Sequence, residues 1–423
     1  MSWSAFVVGQ CWTGSLPPGW TGRSAKRLFE QRKVRARADD QQLSVTQSQG
    51  VVSQQELLEN GQRVVLALSG IENFKHVDAD DFVISLRSFQ GGIERSTVSG
   101  CVSPAYTVLR AIDRINPRFW GYLFKSSAFI TALRSVIDEG IRDGKSITYE
   151  QFGETAVPVP SVERQEEIAD HLDRATTRID TLVAKKTRFI ELLREKRQAM
   201  ITHAVTKGLD PNVPMKDSGV EWLGKVPEAW DAAPLKSFLR LRRDIVGADS
   251  TNTKLLSLTL QGVIERDLEN PTGKMPASFD GYQRISSGEM VFCLFDMDET
   301  PRTVGVAPQD GMLTGAYTVF RPQSDLWARF LYYFFLHVDE YKRLKPFYKG
   351  LRKTIRPGPF LSIQVPRPKE SEAAAIVAHL DRATSRIDTL ITKTERSIEL
   401  LREHRTALIT AAVTGKIDLR PAA

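Results

Sequence analysis

"HLDRATSRIDTL" runs from His379 to Leu390, and "HLDRATTRIDTL" from His171 to Leu182. The two stretches differ only at Thr177 against Ser385, an agreement that chance does not produce. At the same offset "IELLREKRQAMITHAV" (Ile190–Val205) answers "IELLREHRTALITAAV" (Ile398–Val413). Upstream the match thins to anchors. "SPAYTVLR" (Ser103–Arg110) answers "TGAYTVFR" (Thr314–Arg321), and "LSVTQSQGVV" (Leu43–Val52) answers "LSLTLQGVI" (Leu256–Ile264). "SLPPGW" (Ser15–Trp20) answers "KVPEAW" (Lys225–Trp230), "GIR" (Gly140–Arg142) answers "GLR" (Gly350–Arg352), and "VPVP" (Val157–Pro160) answers "VPRP" (Val365–Pro368). The chain is a tandem duplication, and two copies of this length do not make a solenoid. Each copy ends in a closely shared segment and begins with a divergent one. That pattern reads as a fixed connector joined to two modules with different tasks.

The shared segment is helical. Apolar or small residues at Ile168, Leu172, Ala175, Ile179, Leu182, Phe189, Leu193 and Met200 follow alternating steps of four and three, with Lys186 and Lys196 in the missing places. Such a heptad seam packs one face of a helix along a partner helix. The second copy carries Ile376, Leu380, Ala383, Ile387, Leu390, Leu401 and Leu408. A second apolar set (Ile190, Ile201 and Val205, answered by Ile398, Ile409 and Val413) widens the stripe beyond a two-stranded seam. Gly208 and Pro211 close the first helix and Gly415 the second. Over residues 161–205 the first helix would be roughly 65 Å long.

The divergent modules read as mixed α/β with short strands. "RVVLALSG", "DFVISLRS" and "AYTVLRA" in the first have counterparts in "EMVFCLFD" and "AYTVFRP" in the second, and each module carries a helix, Phe119–Leu133 and Leu326–Tyr341. Basic residues gather toward each module's end. Lys342, Arg343, Lys345, Lys349, Arg352, Lys353 and Arg356 occur without an intervening acid, beside Tyr341, Phe347 and Tyr348. In the first module Arg134, Arg142 and Lys145 are diluted by Asp138, Glu139 and Asp143, and "RKVRAR" (Arg32–Arg37) is a further basic run. Lys, Arg and aromatic side chains on a glycine-containing loop suit contacts to phosphates and base edges. A solvated basic loop would have the same composition.

Bulk properties agree with such a partner. The chain has 423 residues, a length for two or three domains, and 41% hydrophobic and 26% charged residues, as in soluble globular proteins. The net charge is +7, a mild argument for a polyanion. The apolar run Phe330–Val338 is about half the length of a membrane-spanning helix. "MSWSAFVVGQCW" has no basic residue ahead of its apolar stretch, unlike a secretory signal. Cys11, Cys101 and Cys293 are too scattered for a disulfide framework or a zinc site, so a reduced, cytoplasmic setting is expected.

Motifs for chemistry are missing. No P-loop or dinucleotide-type glycine loop occurs, nor HExxH, paired CxxC or a deaminase-like set. "NPRF" (Asn116–Phe119) has Arg118 where an amino-methyltransferase tetrapeptide has its second proline, so Pro117 reads as a turn before a helix. His171, His379, Asp173, Asp381, Asp180 and Asp388 read as polar, ion-pairing positions on helix faces.

The stretch Pro158–Trp230, with "PVPSVERQEEIADHLDRATTRIDTL" and "MKDSGVEWLGKVPEAW", resembles the central region of the DNA specificity (S) subunit of type I restriction–modification enzymes. Asp81–Arg110 is similar to the body of one of its target-recognition domains, and the resemblance covers all but the first 14 residues or so. It implies an α+β tandem duplication with pseudo-twofold symmetry, in which two target-recognition domains are separated by two long helices packed as an antiparallel coiled coil. The expected boundaries are an atypical N-terminus at 1–14, domain 1 at 15–158, helix 1 at 159–208 and a linker at 209–228. Domain 2 follows at 229–366, helix 2 at 367–415 and a tail at 416–423. Each domain would read one half of a bipartite, asymmetric site in double-stranded DNA. The helices would set the unread spacer and dock two modification (M) subunits through Leu172, Ile179, Leu182, Leu193, Leu380, Ile387, Leu390 and Leu401. The chain would be non-catalytic and bind no cofactor. S-adenosylmethionine would sit on the modification subunits, and ATP and magnesium on the restriction (R) subunits. DNA contacts are expected from Arg87, Arg142 and Lys145 in the first domain and Lys349, Arg352, Lys353 and Arg356 in the second. Two other readings stay open: a coiled-coil scaffold whose DNA reading has decayed, and a stand-alone methyltransferase or nuclease.

Overall fold

In the computed structural model the described residues are 10–12, 14–47, 49–62, 70–85, 91–135, 147–267, 276 and 278–417. They form two units. One combines Met1–Thr187 with Glu395–Ala423, and the other is Arg188–Thr394. The first long helix, Val162–Lys207, and the second, Glu370–Val413, therefore each contribute one half to each unit. At 1.5 Å per residue they are about 69 and 66 Å long.

The first unit is built on a four-stranded antiparallel sheet in the order Phe29–Gln31, Thr107–Ala111, Phe82–Ile84 and Glu94–Arg95. Four two-stranded ladders accompany it among the described residues: Gln10–Cys11 with Gly14–Ser15, Thr21–Ser24 with Ala156–Val159, Leu43–Thr46 with Gly50–Ser53, and Lys75–Val77 with Gly100–Val102. The second unit repeats this strand for strand. Its sheet runs Leu239–Arg242, Thr318–Pro322, Met290–Phe292 and Val304–Val306. Its ladders are Met215–Asp217 with Lys225–Pro227, Asp231–Pro234 with Gln364–Arg367, Leu256–Thr259 with Gly262–Glu265, and Gln283–Ile285 with Gly311–Leu313. The anchors "AYTVLR" and "AYTVFR" are thus the central strands of the two sheets, which explains why they survived while their surroundings diverged.

Aromatic side chains fill both cores. Phe29, Phe82, Trp120, Phe124 and Phe152 meet mostly edge to face in the first unit, and Phe292, Phe320, Phe335 and Phe360 meet in edge-to-face and tilted pairs in the second. The helix expected as one piece over Phe119–Leu133 is two, Pro117–Lys125 and Ser127–Ser135, because Ser126 takes an extended conformation and its hydroxyl donates to Leu123 O. Its counterpart Asp325–Glu340 is unbroken. Asn116 caps the first of these helices by accepting from the amides of Arg118 and Phe119, so "NPRF" is a helix start. The strand expected at "RVVLALSG" falls largely on residues 63–69, outside the described residues.

The long helices bury a different stripe from the expected one over part of their length. Ile168, Leu172, Ile179 and Leu193 are buried, as are Leu380 and Ile387. Leu182 and Leu390, however, are 40% and 38% exposed, Phe189 is 45% exposed, and Leu401 is half-buried. Past Ile179 and Ile387 the buried apolar positions are Ile190, Leu193, Ile201, Ala204 and Val205 in the first helix, and Ile398, Ile409, Ala412 and Val413 in the second. A straight α-helix has 3.6 residues per turn and drifts about 20° per heptad against a strict seven-residue repeat. Over this length the drift turns the buried face toward the Ile190 set, with Leu193 still on it and Leu182 and Phe189 off it.

Both helices end on a left-handed glycine, Gly208 (φ 76°) and Gly415 (φ 72°). A Cβ on Gly415 would lie 2.3 Å from Pro17 and 3.3 Å from Trp20, and one on Gly208 would lie 3.7 Å from Trp230. The repeated "PxxW" therefore seats a tryptophan against a helix end in each unit. From Trp12 onward the N-terminal segment matches the second repeat in spacing. Trp12, Gly14, Pro17 and Trp20 have the spacing of Trp222, Gly224, Pro227 and Trp230. Trp12 Nε1 donates to Ala156 O at 2.6 Å and its ring meets Phe129 at 6.2 Å. Trp222 meets Phe334 and Phe347, each at 5.9 Å.

Candidate nucleic-acid interface

The long helices are fastened to the modules by the same device twice. In the first unit Tyr122 donates to Asp173 at 2.7 Å, and Arg118 pairs with Asp173 and Asp170 at 2.7 and 2.8 Å. In the second, Tyr333 donates to Asp381 at 2.6 Å and Arg329 pairs with the same carboxylate. Thr176 and Thr384 close each cluster through hydroxyls 3.2 and 3.3 Å from the tyrosines. Burial, together with the neighbouring carboxylate, pushes both phenols up to about 12. Asp173 and Asp381 are thus ion-pairing positions, and so are Asp180 and Asp388, held by Arg405 and Arg197 within their units.

The basic stretch of the second module folds into an exposed turn. Lys349 and Thr354 exchange two backbone hydrogen bonds of 3.0 Å, and Lys353 N donates to Gly350 O at 3.1 Å. The turn is docked on the segment after Met290–Phe292, where Asp296 N donates to Arg352 O at 2.8 Å and Ile355 N to Leu294 O at 2.9 Å. Three of the four non-glycine residues with positive φ among the described residues lie here: Asp296, Lys342 and Lys353. Such conformations persist only where surrounding contacts enforce them, and they gather at functional loops.

The sequence shows no acid within this stretch, but the fold brings three alongside it. Arg352 pairs with Asp296 at 2.8 Å and lies 5.4 Å over the Phe295 ring. Lys353 and Lys345 pair with Asp298 at 2.8 and 3.3 Å, and Lys353 reaches Glu299 at 3.7 Å. These cations hold the carboxyls of Asp296 and Asp298 below their usual range. Lys342 donates to Met297 O and Thr300 O, and Arg343 to Trp222 O, so both serve the scaffold. Lys349 and Arg356 are exposed and have no side-chain partner among the described residues. The surface thus offers two cations without a partner among the described residues, three ion-paired cations (Arg352, Lys353 and Lys345) and a row of acceptors. Phosphates attract the cations, while mixed donors and acceptors suit base edges.

In the first module Arg87, Arg142 and Lys145 lie outside the described residues. Of "RKVRAR", Arg32 is committed inward to Asp81 and Asp78 at 2.7 and 2.9 Å, whereas Lys33, Arg35 and Arg37 are exposed. Sequence reasoning missed the acidic partners because they come from a strand end some 55 residues away in the chain. Among the described residues no group of three or more His, Cys, Asp or Glu could hold a metal ion, and no helix is long and apolar enough to cross a membrane.

A doubled strand-and-ladder module on two shared long helices is the fold of specificity subunits of type I restriction–modification systems. A chain in a structure of complex assembly and conformational transition of the type I R-M system matches 95% of this chain and 100% of its own length, with a TM-score of 0.66 at 13% identity. The HsdS subunit from Thermoanaerobacter tengcongensis matches 95% of this chain and 98% of its own, with a TM-score of 0.55 at 16% identity. At these identities the likeness is one of fold. No protein-family model and no curated protein matches the sequence.

Proposed function

We propose that the chain is the DNA specificity subunit of a type I restriction–modification complex. The observation that carries this is the duplication itself. Two modules of one topology and divergent surfaces sit on two helices that hold them by the same Arg–Tyr–Asp device. In this reading each module reads one half of a bipartite, asymmetric site in double-stranded DNA, and the helices act as an antiparallel coiled coil that sets the unread spacer. The ion pairs support it: Arg405 late in the second helix meets Asp180 early in the first, and Arg197 late in the first meets Asp388 early in the second. DNA rises about 34 Å per turn, so helices of about 69 and 66 Å are long enough to hold half-sites roughly one turn apart.

The exposed Leu182 and Leu390, with Leu192 and Leu400 beyond them, occupy equivalent places on the two helices. They supply one apolar docking face for each of two modification subunits. The chain itself is non-catalytic. S-adenosylmethionine belongs to the modification subunits and ATP with magnesium to the restriction subunits, and the complex works in the cytoplasm. In the second module Lys349 and Arg356 serve phosphates, and Arg352 and Lys353 lie nearest the bases. The first module would use Arg142, Lys145 and Arg87.

The test is the adenine methylome of the host with and without this gene. A split motif with a fixed spacer, lost on deletion, is the expected result. An unchanged methylome would leave a scaffold that binds the modification subunit without sequence preference. S-adenosylmethionine binding by the isolated chain would instead revive a stand-alone methyltransferase. Arg352→Ala should weaken binding to the cognate site.

A further inference from the structure

Leu351 stands at the apex of the Gly350–Lys353 turn with 102% of its reference accessibility, against 67% for Ile245 and 64% for Leu260. A single exposed leucine is ordinary on a protein surface. What distinguishes this one is its mounting. The turn is closed by the Lys349–Thr354 hydrogen bonds, docked by Asp296 N on Arg352 O, and braced by Arg352 on Asp296 and Lys353 on Asp298. An aliphatic side chain is thus held out rigidly, with fixed donors beside it, carboxylate acceptors behind them, and the free Lys349 and Arg356 on either side. The first half carries Ile141 at the matching place in "GIR", so an aliphatic residue recurs there in the sequence.

We propose that Leu351 reads the 5-methyl group of a thymine in the major groove of the half-site bound by the second module. This rests on the DNA-reading function proposed above. Two physical points choose the groove. Only the major groove presents the thymine methyl, and only there does a carboxylate find the cytosine amino donor. The minor groove has the stronger negative potential, which Asp296, Asp298 and Glu299 would oppose. The same acids weigh against Leu351 acting as a wedge between base steps, a device of minor-groove binders.

The experiment selects binding sites with the full chain from two pools of random duplex DNA, one made with thymine and one with uracil in its place. Leu351 touches nothing in its own fold, so Leu351→Ala should fold normally. Wild-type protein should prefer thymine at one position of one half-site by about fourfold, the factor given by ~0.8 kcal/mol for one buried carbon group. The preference should vanish in the uracil pool and in Leu351→Ala, and in Leu351→Ala selected from the thymine pool the other half-site stays unchanged as an internal control. If no thymine position depends on both the methyl group and Leu351, the inference is overturned, including the case where Leu351→Ala abolishes a kink instead. If the wild-type chain selects no bipartite sequence from either pool, the proposed DNA-reading function falls, and the role of Leu351 with it.

Discussion

Arg405 donates from Nε and Nη2 to the two carboxylate oxygens of Asp180, at 2.9 and 3.1 Å. Its counterpart one repeat earlier, Arg197, faces Asp388 at 3.3 Å. More than half of each aspartate side chain is exposed, 56% and 57%, and exposed pairs contribute about 0–1 kcal/mol. The pairs therefore select which helix segments face each other more than they stabilise them. Asp180→Asn and Asp388→Asn should each lower unfolding free energy by less than about 1 kcal/mol. Leu172→Ala and Leu380→Ala, at fully buried positions, should lower it by about 2–5 kcal/mol. Urea unfolding followed by circular dichroism compares the four, and equal losses would refute this division of labour.

The clamps on Asp173 and Asp381 differ in one respect. Arg118 has a second carboxylate, Asp170 at 2.8 Å, whereas the equivalent position in the second repeat is Ala378. Removing Asp381 therefore leaves Arg329 without its carboxylate, while removing Asp173 leaves Arg118 paired with Asp170; each tyrosine keeps its threonine hydroxyl. The Arg329 and Asp381 side chains are both more than a third exposed, so Asp381→Ala should destabilise its unit by no more than about 1 kcal/mol. Asp173→Ala should do measurably less. Thermal unfolding of the two variants gives the order directly, and the reverse order would mean that Asp170 does not compensate.

How much of this was legible in the sequence depended on whether a signal was local. The duplication, the long helices and their glycine ends could be read because repeated wording and Gly208 and Gly415 act within a few residues. Two things were misread. A strict heptad places Leu182 and Leu390 in the seam, whereas both are more than a third exposed, as expected where a 3.6-residue turn drifts against a seven-residue repeat. The basic stretch around Arg352 looked unopposed because Asp296 and Asp298 are distant in sequence and adjacent only through the turn's docking on the sheet. Trp12 was legible in principle. The eight-residue spacing to Trp20 matches that from Trp222 to Trp230, but a spacing without shared wording is a faint signal.

The acids beside Arg352 make a further expectation specific. Asp296 competes with phosphate for the guanidinium, so Asp296→Asn should raise affinity for random duplex DNA and steepen its salt dependence by about one counterion. Arg356→Ala, which removes an unpaired cation, should make the slope shallower by about the same amount. Fluorescence anisotropy between low and moderate salt measures both. If Asp296→Asn left the slope unchanged, Arg352 would not lie within reach of the DNA backbone.

His337 links the module helix of the second unit to the first long helix. An arginine can only donate, so the approach of Arg343 Nη1 to Nε2 at 3.3 Å makes Nε2 the acceptor. Nδ1 then carries the hydrogen and faces Thr202 Oγ1 at 3.0 Å, which fixes the neutral tautomer. Burial, with the Arg343 charge adding to it, lowers this imidazole from 6.5 to about 4. The unfolded chain therefore takes up a proton at a higher pH than the folded one does. The associated stability is complete above about pH 6.5 and is lost as pH falls toward 4, by no more than about 3 kcal/mol. His337→Gln removes that titration while keeping a polar side chain. The difference in unfolding free energy between wild type and variant should shrink or reverse between pH 7.5 and pH 5, where carboxylates common to both cancel. A difference independent of pH would show that the imidazole does not titrate between the folded and unfolded states in this range.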